Sequence, residues 1–256
     1  MADALHGSAA ELPAGDASPL LSLEGVHTHI GEYHILQGVD LVVPRAGVTV
    51  LLGRNGAGKS TTLRTIMGLW HASAGRLRFD GEDITAEQTP AISRRGIAFV
   101  PEDMGIFSGL TVQENLRLAA IGGRFDSDRL EWIFGLFPAL KRFWLRPGGT
   151  LSGGQKQMVA IARAIIEPRK LLLIDEPTKG LAPAIVDNLA QAFIELKARD
   201  TTILLVEQNF HFVRALGDQV AVMDDGRIVH AGRMQALSDD EALQSRLLGL
   251  HAGAVH

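Results

Sequence analysis

The stretch Gly53-Arg54-Asn55-Gly56-Ala57-Gly58-Lys59-Ser60 decides the fold expected for this chain of 256 residues. It matches the pattern G-x-x-x-x-G-K-[ST], in which glycines allow several backbone N–H groups to face one anion. An apolar run over 48–52 precedes the stretch, and a helical pattern over 58–70 follows it. Because a helix N-terminus attracts anions, this order of strand, loop and helix predicts a phosphate-binding loop rather than a chance glycine-rich turn.

The residue types in this loop account for separate parts of the expected chemistry. Lys59 places a positive charge on the β- and γ-phosphates of a nucleotide, and the Ser60 hydroxyl is an oxygen ligand that suits Mg²⁺. The loop backbone and the next helical residue complete the expected nucleotide-binding set, which is Gly53, Arg54, Asn55, Gly56, Ala57, Gly58, Lys59, Ser60 and Thr61.

Strand-like and helix-like segments alternate along most of the chain, which is typical of a mostly parallel sheet with helices on its faces. The β-rich segments 21–27 and 34–43 predict an antiparallel β subdomain, the helix-rich block 102–168 predicts an inserted helical subdomain, and a final helix is expected over 233–248. The predicted fold class is therefore α/β, a P-loop NTPase. The expected boundaries are a flexible tail at 1–19, one folded domain at 20–249 with its core at 20–101 and 169–249, and a flexible tail at 250–256.

The composition excludes several classes of protein. The chain has no cysteine, so disulfide scaffolds, zinc–cysteine sites and thiol catalysis are excluded. Its net charge of −4 argues against a domain held to nucleic acid by bulk charge. The longest apolar runs, such as 171–174 and 203–206, are far shorter than the roughly 20 residues that a membrane-spanning helix needs. The start of the chain lacks a secretory signal, so a cytoplasmic protein is expected.

Two acidic residues follow a second apolar strand, at 171–174. Asp175 and Glu176 therefore stand at the carboxyl end of a strand, where ligands bind in open α/β sheets. We expect Asp175 to hold Mg²⁺. Glu176, one residue further on, is expected to orient or deprotonate an attacking water. A solvated acidic turn would look the same in isolation, but an upstream phosphate loop favours the catalytic interpretation.

A third segment, Leu151-Ser152-Gly153-Gly154-Gln155, precedes this strand. Ser152 is a good N-cap for a helix, and by itself the segment predicts only a capped, glycine-rich turn. Taken in this order and spacing, however, the three segments resemble the ATP-binding subunits of ATP-binding cassette (ABC) transporters, whose signature sequence is L-S-G-G-Q. The resemblance covers about residues 21–249.

This resemblance implies a head-to-tail dimer, either a homodimer or a heterodimer with a second ABC ATPase, that binds two ATP molecules with Mg²⁺ at its interface. Each ATP would lie on the phosphate loop of one protomer and be covered by the signature turn of the other. The residues implied to reach the γ-phosphate across the interface are Ser152, Gly153, Gly154 and Gln155.

Four positions depart from the family pattern. Glu102 stands where a glutamine usually reaches the metal and the attacking water, so it is expected as a metal ligand and catalytic group. Gln208 replaces a histidine and can hydrogen-bond the γ-phosphate without carrying a charge. Ala182 replaces an aspartate, and Ile30 stands where an aromatic side chain stacks on adenine. Tyr33 is close enough to be the substitute for that aromatic.

The segments V-P-E-D at 100–103, D-E-P-T-K-G-L-A-P at 175–183 and L-V-E-Q-N at 205–209 resemble ATPases of branched-chain amino acid importers. That resemblance implies two transmembrane permease subunits, a periplasmic solute-binding protein acting indirectly, and a place at the inner face of the cell membrane. Importers of amides or urea carry similar ATPases. A soluble ABC ATPase, a non-enzymatic dimerisation switch and a small-molecule kinase remain alternatives.

Overall fold

The computed structural model describes residues 18–249. The tails expected at 1–19 and 250–256 therefore lie outside the described residues, apart from Ser18 and Pro19. No helix in the described part is long and apolar enough to cross a membrane.

The described strands form two sheets. One is antiparallel, with the order β2-β1-β4-β5, and the other has the order β10-β9-β3-β8-β7-β6. In the second sheet β3, β6, β7, β8 and β9 run parallel, and β10 pairs antiparallel with β9. The strands are β1 Leu21–Ile30, β2 Tyr33–Val43, β3 Val48–Gly53, β4 Ala72–Phe79, β5 Glu82–Asp83, β6 Ile97–Val100, β7 Leu171–Asp175, β8 Thr202–Val206, β9 Gln219–Asp224 and β10 Arg227–Arg233.

The described helices connect these strands and build a separate helical block between β6 and β7. They are α1 Lys59–Ile66, α2 Thr89–Arg94, α3 Val112–Ala119, α4 Ser127–Leu136, α5 Ala139–Phe143, α6 Gly153–Ala164, α7 Pro183–Ala198, α8 Phe210–Arg214, α9 Met234–Asp239 and α10 Glu241–Leu248. The predicted α/β class, with an antiparallel β sheet and inserted helices, is confirmed.

The central strands are buried on both faces, which explains why they read as continuous apolar runs. Successive residues of β7 face opposite cores. Leu172 and Ile174 pack in a cluster with the inserted helices and α7, whereas Leu171 and Leu173 pack with α1 and the antiparallel sheet. The parallel sheet is thus the middle layer of the molecule.

The parallel strand order determines where the candidate site lies. Strands β3, β8, β7 and β6 are neighbours in that order, and they run in the same direction. Their carboxyl ends therefore meet at one edge of the sheet, and the loops that follow the four strands face the same crevice.

Two helices differ from the predictions, since one ends earlier than expected and the other is divided in two. The helix expected over 58–70 ends at Ile66, because Gly68 adopts a left-handed φ of 68° and the chain enters β4 at Ala72. The single helix expected over 233–248 is two helices. Asp240 has extended backbone angles, and its carboxylate caps α10 by accepting a hydrogen bond of 2.8 Å from the Leu243 N–H.

Asn115 fixes the start of the helical block. It is fully buried on α3, and its side-chain oxygen accepts a 2.9 Å hydrogen bond from the Phe107 N–H. Its amide nitrogen donates to the carbonyl oxygens of Phe107, Leu110 and Thr111 at 2.9–3.2 Å. One side chain therefore links three residues of the turn that precedes α3.

We expect Asn115→Leu to lower the free energy of unfolding by about 1–3 kcal/mol, because it leaves the Phe107 N–H without its acceptor and removes the amide bonds to three carbonyl oxygens. Urea unfolding of the variant and parent measures this difference. Leu118→Ala is the matched control, since Leu118 is on the same helix and is 62% exposed. An equal loss in both variants would contradict the role given to Asn115.

Candidate active site

The phosphate loop has the conformation that its glycines allow. Gly58 precedes α1 with a φ of 107°, and a Cβ on Gly53 would come within 2.2 Å of the Met223 carbonyl oxygen. No side chain caps the N-terminus of α1. Its first N–H groups are therefore available to an anion, as the strand–loop–helix order predicts.

Lys59 is buried, with 5% of its surface exposed, and its ammonium lies inside the loop. Nζ donates hydrogen bonds to the carbonyl oxygens of Gly53 at 2.9 Å and Arg54 at 3.1 Å, and it lies 3.9 Å from Glu176 Oε1. Burial lowers the pKa of Lys59, and the negative charges of Glu176 and Asp175 oppose that shift. The loop thus holds a positive charge that can pair with a phosphate group.

Ser60 and Asp175 form a pair of oxygen donors beside this lysine. The Ser60 hydroxyl donates to Asp175 Oδ1 at 3.0 Å, whereas Oδ2 is buried without a hydrogen-bond partner. Burial raises the pKa of Asp175 to about 6, and the charges of Glu176 and Glu102 add to the shift. A hydroxyl next to an unsatisfied buried carboxylate is a donor set that fits a hard divalent cation such as Mg²⁺.

Glu176 and Gln208 meet across two strand ends. The Gln208 amide donates to Glu176 Oε1 at 2.5 Å and to Asn55 Oδ1 at 2.7 Å. Glu176 is 8% exposed and has a left-handed φ of 45°, which is rare for a residue other than glycine. Gln208 therefore links the phosphate loop to the carboxylate expected to activate water.

Glu102 approaches the same cluster through a lysine that the sequence did not single out. Lys179 Nζ donates to Glu102 Oε1 at 2.5 Å and lies 3.4 Å from Glu176 Oε2. The hydrogen bond to Glu102 raises the pKa of Lys179. In a sequence, a lysine three residues after Glu176 is indistinguishable from a solvated turn residue.

Glu207 is a second residue without an expected role. It is 3% exposed, and its carboxylate accepts hydrogen bonds from the loops that follow β7 and β8. The signal in the sequence is slight, since it is an acid directly after the apolar run of β8.

The signature turn and Tyr33 lie apart from this cluster. Ser152 and Gln155 form a capping box at the start of α6, and a Cβ on Gly154 would lie 2.8 Å from Ile185. Tyr33 is 74% exposed and pairs with Ile30 at the β1–β2 turn. Among the described residues, neither the signature turn nor Tyr33 hydrogen-bonds to the cluster.

We expect Asp175→Asn to stabilise the metal-free protein at pH 7 by roughly 2–3 kcal/mol and to have little effect near pH 4. The folded-state pKa of about 6 lies above the ordinary value of 3.8. Between these values the folded chain binds the proton more tightly, so the stability contributed by Asp175 falls as the pH rises and stays low above pH 6.

Urea unfolding in the presence of a metal chelator at both pH values measures this effect. The control is Asp187→Asn, because Asp187 is an exposed acid on α7. Equal effects of Asp175→Asn at pH 4 and pH 7 would show that burial of the carboxylate charge is not the cause.

Comparison with known proteins agrees with this geometry. The profile of the family described as ABC transporter matches residues 36–179. Over 235 residues the chain is 39% identical to the high-affinity branched-chain amino acid transport ATP-binding protein BraG of Pseudomonas aeruginosa, covering 90% of this chain and 100% of that protein. It is 35% identical over 235 residues to the methionine import ATP-binding protein MetN of Rhizobium johnstonii, covering 88% of this chain and 64% of that protein.

A solved structure described as an ATP-binding cassette of an ABC transporter has the same fold. Its TM-score is 0.78 at 28% identity, with 92% of this chain and 100% of that chain covered. The family profile spans more than half of the chain, and it includes the phosphate loop, Asp175 and Glu176. The chain therefore belongs to the ABC transporter family, as an ATP-binding subunit that hydrolyses ATP.

Proposed function

We propose that this chain is the ATPase subunit of an importer and that it couples ATP-driven dimer closure and hydrolysis to the uptake of branched-chain amino acids. One observation carries the catalytic part of the proposal. A buried carboxylate, Glu176, a phosphate loop and an unsatisfied cation-binding pair meet at one sheet edge. This is the set of groups that phosphoryl transfer to water needs.

Each group has a role that follows from its position. The backbone from Gly53 to Thr61 and the charge of Lys59 bind the phosphates of ATP, and Ser60, Asp175 and Glu102 would hold Mg²⁺. Bound Mg²⁺ would neutralise phosphate charge during transfer. The oxygen of the attacking water bonds to the γ-phosphorus while Glu176 accepts its proton. The bond from the γ-phosphorus to the oxygen that bridges to the β-phosphate breaks, and ADP leaves with that oxygen. Gln208 donates to Glu176 and orients it.

We expect Lys59→Ala to weaken ATP binding at least tenfold, because it removes the ammonium group that the carbonyl oxygens of Gly53 and Arg54 hold inside the phosphate loop. Equilibrium binding of a fluorescent ATP analogue measures this loss. Lys156→Ala is a control that removes a lysine of α6 instead. Unchanged nucleotide affinity in Lys59→Ala would remove the basis for assigning the phosphate loop.

The signature turn is proposed to complete the site of a second subunit. Ser152 and Gly153 are exposed, and the turn packs on Leu181 and Ile185 at the start of α7 rather than on its own phosphate loop. An exposed helix N-terminus is suited to an anion presented by a partner. This arrangement supports a head-to-tail dimer in which each ATP is held by both subunits. Tyr33, which is exposed at the β1–β2 turn, is proposed to stack on adenine.

We expect Glu176→Gln to form a stable dimer with Mg²⁺ and ATP, because ATP binds but is not consumed. Adding Gly153→Asp should prevent that dimer, since its carboxylate would face the γ-phosphate. A Cβ at Gly153 has ordinary contact with Leu181 at 3.6 Å, so the variant can fold. Gly109→Asp, at a glycine with open space around it, makes the same chemical change elsewhere.

Light scattering with and without ATP measures the dimer. The proposal predicts a dimer for Glu176→Gln alone and with Gly109→Asp, and a monomer with Gly153→Asp. A dimer that persists with Gly153→Asp would contradict the position given to the signature turn.

The transported solute is inferred from relatives, since no described residue is expected to touch it. The relative from Pseudomonas aeruginosa is named for branched-chain amino acids and is covered over its full length, whereas the methionine-import relative is covered over 64%. We propose that a second ABC ATPase and two permease subunits are direct partners at the inner face of the membrane. A periplasmic solute-binding protein then acts through the permeases. ATPases of amide or urea importers are the second candidate.

Uptake by vesicles tests this assignment. The chain is reconstituted with the permeases, ATPase and solute-binding protein encoded beside its gene, and uptake of labelled leucine, methionine, acetamide and urea is compared. ATP-dependent uptake of leucine alone supports the proposal, and Glu176→Gln is the control that should abolish it. Uptake of urea or acetamide alone would favour the second candidate. If no permease is encoded nearby or binds, a non-transport ATPase is favoured.

A further inference from the structure

Glu207 is the most fully hydrogen-bonded buried acid of the site, and the mechanism above gives it no task. Its Oε1 accepts from the Thr178 N–H at 2.9 Å and from the Thr178 hydroxyl at 2.7 Å. Its Oε2 accepts from the N–H groups of Gln208 at 3.0 Å and Asn209 at 3.3 Å. One carboxylate therefore receives four hydrogen bonds.

The four donors belong to two different loops. Thr178 lies two residues after Glu176 in the turn that follows β7, whereas Gln208 and Asn209 lie in the turn that follows β8. Because the two strands are parallel neighbours, both turns leave the same edge of the sheet. The Glu207 side chain thus ties the turn that carries the proposed base to the turn that carries Gln208.

The charge of Glu207 is satisfied without a close cation. In the described residues no lysine or arginine nitrogen lies within 4.0 Å of its carboxylate, so hydrogen-bond donors alone compensate its burial. A carboxylate has acceptors on both oxygens, and each oxygen here faces one loop. A neutral glutamine offers one acceptor oxygen, and its NH₂ group would face N–H donors on one side or the other.

We propose that Glu207 is a positioning residue for ATP hydrolysis: it holds the two turns in register so that the Gln208 amide stays hydrogen-bonded to Glu176. This inference rests on the roles proposed for Glu176 and Gln208. The contact it protects is the 2.5 Å hydrogen bond between Gln208 Nε2 and Glu176 Oε1. When one turn is released, that contact lengthens, although the phosphate loop is unchanged.

Steady-state ATP hydrolysis by Glu207→Gln tests the proposal. We expect kcat to fall at least tenfold, whereas KM for ATP stays within about twofold because the phosphate loop from Gly53 to Thr61, which is proposed to provide most of the phosphate contacts, is unchanged. Glu195→Gln, at an exposed acid on α7, makes the same change without a bridging role and should leave both constants unchanged. An unchanged kcat in Glu207→Gln would overturn the inference.

A double-mutant comparison separates positioning from a general loss of structure. In a Gln208→Ala background the contact to Glu176 is already absent, so Glu207→Gln should lower kcat further by less than about twofold. A tenfold fall in both backgrounds would show that Glu207 acts independently of Gln208 and would overturn the inference. Thr178→Val removes one of the four donors and serves as a milder variant if Glu207→Gln folds poorly. It should lower kcat with the same background dependence.

Amide hydrogen exchange tests the tie between the two turns without relying on activity. Glu207→Gln should speed exchange at Thr178, Gln208 or Asn209, whereas amides in the middle of β7 keep their protection. Unchanged exchange at all three amides would overturn the inference even if ATP hydrolysis fell. If the parent chain hydrolysed no ATP but exchange changed as expected, the proposed function would fail and the structural tie would stand.

Discussion

The burial of charge at one edge of the parallel sheet is the constraint on which the rest of the site depends. Lys59, Asp175, Glu176 and Glu207 are all less than 9% exposed. The three acids lie at the ends of the adjacent strands β7 and β8, and Lys59 begins α1, the helix that follows the neighbouring strand β3. Charges in such a place must be paired, hydrogen-bonded or neutralised. The four side chains are paired or hydrogen-bonded in different ways. The contacts of each side chain determine the role that it can have in the site.

Glu207 is satisfied inside the protein, and Asp175 is not. Four donors surround the first carboxylate, whereas one oxygen of the second has no partner and its pKa rises to about 6. An unsatisfied buried carboxylate destabilises the fold, and binding of a cation would offset that cost. The Asp175 carboxylate is therefore suited to a cation, whereas the fully hydrogen-bonded Glu207 is suited to hold the neighbouring turns in place.

The residues of the candidate site could be named from short motifs and from the family resemblance, whereas most of the contacts between distant loops could not. The phosphate loop and the pair Asp175 and Glu176 follow directly from apolar runs and the residues after them. The hydrogen bond from Gln208 to Asn55 spans 153 positions, and it forms only because β8 lies next to β3 in the sheet. Hydrophobic patterns predict strands but not their order in the sheet. Hydrogen bonds between the loops of neighbouring strands therefore cannot be predicted from such patterns.

The ends of two helices also could not be predicted from the sequence pattern. Asp240 divides the last predicted helix because its carboxylate caps α10, yet an aspartate in a polar stretch looks like any exposed acid. Gly68 ends α1 early through a left-handed φ, although a glycine inside a helical pattern is often tolerated. Both helix ends depend on local backbone angles, which the spacing of apolar residues in the sequence does not indicate.

Lys179 explains how the site can accommodate Glu102 at a position where the family pattern has a neutral glutamine. A glutamate there adds a negative charge close to Asp175 and Glu176, and all three carboxylates would repel one another and the phosphates of ATP. Lys179 lies between Glu102 and Glu176, at 2.5 Å and 3.4 Å, and supplies the compensating charge. Because Glu102 follows β6 and Lys179 follows β7, this ion pair also joins the start of the helical block to the turn that carries Glu176. A neutral glutamine at position 102 would lose this ion pair and make the contact between the two regions weaker.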